Sequence, residues 1–84
     1  MKLTSVVYNF DLVGPGRVSI TMEKLGGDGN GGMVWGYVIV APMGYLEEGV
    51  GFGNYTGRPS ESVAEMLIEK AFLAFREDKK NEKQ

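Results

Sequence analysis

The sequence predicts an α+β fold: a four-stranded antiparallel β-meander with one C-terminal α-helix packed on one face, in the order ββββα. Three observations predict it. The apolar period is two along the first two-thirds of the chain and becomes three to four near residue 60. Glycine and proline clusters cut the first part into four short runs. The helical part carries a single apolar stripe, enough for one face of a sheet.

Each element follows from its residues. Val6, Tyr8, Phe10 and Leu12 alternate with Ser5, Val7, Asn9 and Asp11, a strand with one apolar face. Gly14-Pro15-Gly16 breaks that run, because proline fixes φ and glycine supplies a positive φ. Val18, Ile20 and Met22 then alternate with Arg17, Ser19, Thr21 and Glu23, a half-buried second strand. Gly26 to Gly32, with its Asp-Gly and Asn-Gly pairs, reads as a long hairpin tip.

The third strand, Met33 to Ala41, is apolar on both sides. Val34, Val38 and Val40 lie on one side; Trp35, Tyr37 and Ile39 lie on the other. Runs of this kind occupy central strands covered on both faces. Pro42-Met43-Gly44 turns the chain into a fourth strand from about Tyr45 to Phe52. There Gly49, Gly51 and Gly53 predict a bulge or a backbone kept bare for close approach.

The helix is marked by Ala64, Leu67, Ile68, Ala71, Phe72 and Phe75, spaced three and four apart. Pro59 and Ser60 can start it, and Ser62 with Glu65 also reads as a capping box. Arg76 to Gln84 holds no apolar residue and is expected to fray into a solvated tail. The expected organisation is one domain over residues 1–75 and a charged, disordered tail over 76–84.

Composition narrows function more than it names it. Cysteine and histidine are both zero. That removes disulfides, thiolate nucleophiles, Cys/His zinc sites and imidazole general bases. The net charge is −2, and without residues 76–84 five basic residues face eight acidic ones. Broad attraction to a phosphate backbone is therefore absent, and a basic protein surface is the better electrostatic match. The N-terminus has no apolar run of signal-peptide length, and the longest apolar stretch, Val34 to Met43, is far short of a membrane span, so a cytoplasmic location is expected.

The chemical motifs fail on inspection. Gly51-Phe52-Gly53-Asn54-Tyr55-Thr56 needs a glycine in place of Thr56 to be a dinucleotide fingerprint. Asp28-Gly29-Asn30 opens like a calcium loop, but the required bidentate glutamate falls on Ile39. Glu47 and Glu48 are adjacent on the expected strand, so they point to opposite faces and cannot flank one bond. No cofactor, metal or catalytic residue is expected.

The last third, from Gly51-Phe52-Gly53 through Ser60 with Ala64 and Ala71, resembles the end of a double-stranded-RNA-binding domain. The resemblance implies a topology of strands, a Gly-rich turn and an Ala-containing helix. Where that family places phosphate-contacting lysines this chain has Glu61 and Ser62, and a first helix is missing, so RNA binding is not implied. In size and composition alone, the chain is similar to anti-CRISPR proteins. That likeness implies a small phage or mobile-element inhibitor acting on a host defence system.

The leading expectation is therefore a non-enzymatic protein-binding module that occupies a surface of a larger complex. One helix cannot cover both faces of the sheet, and the bare face is the expected binding surface. Trp35 and Tyr37, with Val7, are the candidate partner-binding residues there. The opposite register would bury Trp35 under the helix and turn Val34, Val38 and Val40 outward. A second candidate is Met66 and Leu73 on the helix, bordered by Glu69. The alternatives are a homodimer with a structural or adaptor role, and a weak nucleic-acid or nucleotide binder through the Gly-rich turn at 49–60.

Overall fold

The computed structural model describes residues 4–27 and 29–82. Four strands form one sheet: β1 (Ser5–Leu12), β2 (Gly16–Gly27), β3 (Met33–Val40) and β4 (Val50–Thr56). They lie in the order β1-β2-β3-β4, each antiparallel to its neighbours in sequence. A single 3-10 turn, Glu47–Gly49, precedes β4, and helix α1 (Glu61–Glu82) closes the chain. The ββββα architecture is the one the residue pattern predicts.

Registers decide which side chains meet. β1 pairs β2 through Tyr8 with Ile20 and Phe10 with Val18, placing both apolar faces on the same side. β2 pairs β3 through Ile20 with Ile39 and Met22 with Tyr37. The shared side therefore carries Val6, Tyr8, Phe10, Val18, Ile20, Met22, Trp35, Tyr37 and Ile39. Val18, Ile20, Met22 and Ile39 are fully buried there against Ala64, Leu67 and Ile68 of α1. The helical stripe is the one its spacing predicts, with Val63, Ala71, Phe72 and Phe75 half-buried along it.

This register corrects the expectation that Trp35 and Tyr37 lie on the bare face. Trp35 is only 6% exposed, and Tyr37 is half-buried beside the same core. Their strand puts the indole and the phenol on the helix side because Ile39, four and two residues on, must pair with Ile20. Val7 does lie on the bare face, opposite to them.

Three other elements differ from expectation. The fourth strand begins at Val50, not Tyr45, because Tyr45 to Gly49 folds into tight turns. Gly49 N–H donates to the Leu46 carbonyl at 3.0 Å, and Ala41 N–H donates to the Gly49 carbonyl at 2.8 Å. Glu47 and Glu48 thus sit on the turn and not on a strand. No register shift occurs between β3 and β4, so the glycines of β4 mark no bulge. The bulge is in β2, between Lys24 and Gly26.

The β4 glycines keep backbone bare instead. A Cβ on Gly53 would collide with the Tyr37 ring and hydroxyl, and one on Gly51 would stand 3.4 Å from Leu46. Larger inward residues on this edge strand would displace the side chains that roof it. Gly49 is constrained twice over: its φ is 76°, and a Cβ would lie 2.8 Å from the Ala41 carbonyl oxygen.

Helix α1 starts where Ser60 caps it, with Val63 N–H donating to Ser60 Oγ at 3.2 Å. The Ser62–Glu65 alternative is not the one adopted. Nor does the helix stop at residue 75. It continues to Glu82, through residues whose side chains at 76–80 are all exposed. Helix formers such as Arg, Glu and Lys prolong the backbone hydrogen-bond ladder by their own propensity, and Lys79 Nζ stands 5.5 Å from the centroid of the Phe75 ring. The hairpin-tip residue Asp28, part of the calcium-loop comparison, lies outside the described residues, as do Met1 to Leu3.

Candidate functional site: the uncovered sheet face

The face of the sheet opposite α1 is built by the alternate residues of all four strands. In one row, Val7, Thr21, Val38 and Phe52 lie side by side across β1 to β4. The next row holds Ser5, Glu23, Gly36 and Asn54, and the row on the other side holds Asn9, Ser19, Val40 and Val50. No described element packs over these rows. Phe52 is 76% exposed, Val7 53% and Val40 51%.

Leu25 joins this face through the β2 bulge. The extra residue pushes its side chain over the neighbouring strand, where Leu25 Cδ1 stands 3.2 Å from the place a Gly36 Cβ would take. Leu25 thus fills the space directly over Gly36, and a shallow hollow of about 460 Å³ lies beside it on this face. Thr21, Glu23, Leu25, Val38, Phe52 and Asn54 rim it. The face thus presents a knob, Phe52, on the edge of a hollow that Leu25, Val38 and Asn54 also line.

Its electrostatics are sparse. Asp11 and Arg17 face each other across β1 and β2, with Nε 3.6 Å from Oδ1, both well exposed. Such a pair contributes little to stability but cancels its own charge. Glu23 is the remaining ionised group among the described residues of the face. The acidic residues Glu47, Glu48, Glu61, Glu65 and Glu69 sit on the 3-10 turn and the helix.

The helix candidates lie elsewhere. Met66 and Leu73, with Glu69 exposed between them, are on the solvent side of α1, at 42% and 54% exposure. They form a narrow stripe, separate from the sheet face by the thickness of the molecule. Trp35 and Tyr37 belong to neither surface. A third apolar feature is a cleft of about 790 Å³ at the end of the sheet, where Leu12, Val13 and Pro15 face Tyr45, Phe72 and Phe75. Tyr45 and Phe72 meet there with ring centroids 5.6 Å apart.

Among the described residues, no three acidic side chains gather as a metal-holding group. No helix among them is long and apolar enough to cross a membrane. Compared with protein-family models, with curated proteins and with solved structures, the chain matches none.

Proposed function

We propose that this chain is a non-enzymatic protein-binding module that works by burying the uncovered face of its sheet against another protein. One observation carries the reading. A central strand apolar on both sides is roofed on one side only, and Phe52, Val7, Val40 and Leu25 stand exposed together on the other. Isolated exposed apolar residues are ordinary, but a contiguous set with a polar rim is the anatomy of an interface. Absence of histidine and cysteine supports the non-enzymatic part, since acid–base and nucleophilic catalysis lean on those side chains.

Small size and acidic balance support one version of this reading, a phage or mobile-element inhibitor that occupies a surface of a host defence complex. The nucleic-acid alternative has less support. The one arginine on the face is paired with Asp11, and stacking on Phe52 without a basic groove holds a strand poorly. The test is a comparison of wild type with Thr21→Lys, which plants a charge at an exposed site in the centre of the face. Protein association detected with wild type and lost with the variant supports the reading. Equal association by both variants refutes it.

A further inference from the structure

We infer that the protein covering this face is a second copy of the same chain, the two sheets stacking face to face about a two-fold axis. The inference rests on the binding reading above and names its partner. Three observations carry it.

The first is area. Four strands of seven or eight paired residues span a face of roughly 19 by 25 Å. Two such faces in contact bury on the order of 1,000 Å² in total, the area at which a specific interface begins. No described part of the chain is left to cover that area.

The second is shape. An isologous interface requires each copy to offer both halves of every contact on one patch. The Phe52 knob and the hollow between Leu25, Val38 and Asn54 lie side by side on this face, so each copy supplies a ring and a place to receive one. A flat apolar sheet without that pair of features would have no fixed register against itself.

The third is charge. Asp11 and Arg17 neutralise each other, and among the described residues of the face Glu23 alone remains, so two copies meet with little repulsion. A basic partner would find one carboxylate to recognise. The acidic residues of the 3-10 turn and helix sit away from the contact, and the assembled pair displays both helices, with Met66 and Leu73, on its outer surfaces.

Molar mass in solution tests this, measured by sedimentation equilibrium from low micromolar to hundreds of micromolar chain. Wild type is expected at twice its 9.2 kDa, with sheets about 10 Å apart. Phe52→Ser is expected to weaken association about 30-fold or more, as loss of a central aromatic does. Thr21→Lys is expected to be monomeric, and Met66→Ser to associate as wild type does. Cooperative melting of each variant shows that the fold persists. A dimer that survives both Phe52→Ser and Thr21→Lys overturns the inference, since its interface is elsewhere. A wild-type monomer throughout also overturns it. In that case protein capture lost on Thr21→Lys leaves the binding reading standing with a different partner, and capture unchanged removes both.

Discussion

Truncating Trp35 to alanine tests the face assignment on which everything else depends. The indole is 94% buried by its 6% exposure, beside Tyr55 on β4 and Lys24 on β2 in register. A tryptophan buries up to ~250 Å². At about 25 cal/mol per Å², that gives an upper limit of ~6 kcal/mol, reduced by surface already buried in the denatured chain. Measured core truncations of this type cost ~3–5 kcal/mol. An 84-residue domain has only ~4–13 kcal/mol of total stability, so Trp35→Ala should leave it barely folded. Phe52→Ala removes an aromatic of similar size from the opposite face and should cost no more than ~0.5 kcal/mol in dilute solution. Urea unfolding followed by far-ultraviolet circular dichroism compares the two, since the variant lacks its tryptophan. In wild type, emission from Trp35 should be blue-shifted and resistant to aqueous quenchers. With chain kept below the concentration at which it associates, a Trp35→Ala cost under ~1 kcal/mol, or a Phe52→Ala cost exceeding it, would show that the faces are reversed.

Four further substitutions probe other parts of the fold. Ala64→Glu places a carboxylate at a fully buried helix position and should abolish cooperative unfolding, read by the same denaturation curve. Ser60→Ala removes the acceptor for Val63 N–H and should lower stability by about 1 kcal/mol. Gly49→Ala meets both a left-handed φ and the Ala41 carbonyl, so a loss of at least ~2 kcal/mol is expected; a neutral result would contradict the turn geometry. Glu48, with φ of 54°, is exposed and non-glycine, so Glu48→Gly should raise stability by up to ~1 kcal/mol, visible as a higher melting temperature.

Most of the architecture was legible in the residues. Alternation in β1 and β2 and the helical stripe from Ala64 to Phe75 each determine an element and its buried side. The face of β3 was not legible, for a physical reason. Both of its sides are apolar, so hydrophobicity does not choose between them, and the choice passes to the register with β2. That register runs through a glycine-rich tip and a bulge at Leu25, and a slip of one residue exchanges the faces. The candidate site therefore moved from Trp35 and Tyr37 to Phe52, Val38, Val40, Val7 and Leu25. A signal for it did exist in β4, where glycine at 51 and 53 leaves Phe52 as the large side chain on the other side. The start of β4 was missed because the constraint is a positive φ at Glu48 and Gly49, which no periodicity reports. The end of α1 was missed because charged residues with good helix propensity extend the helix beyond its last apolar residue, Phe75.

The order of elements along the chain also sets an order of risk during synthesis. Every strand pairs with its neighbour in sequence, so the sheet needs only short loop closures and can form early and fast. The helix comes last. Until residues beyond Glu61 have left the ribosome, a nascent sheet has bare apolar surface on both sides, with Ile20 and Ile39 as open to neighbours as Phe52. Emerging chains on one messenger hold such surfaces at high local concentration, where misassembly competes with folding. A pause that holds the chain with Thr56 emerged and Glu61 still inside the ribosome should therefore lower soluble yield, and a pause with Phe75 already emerged should not.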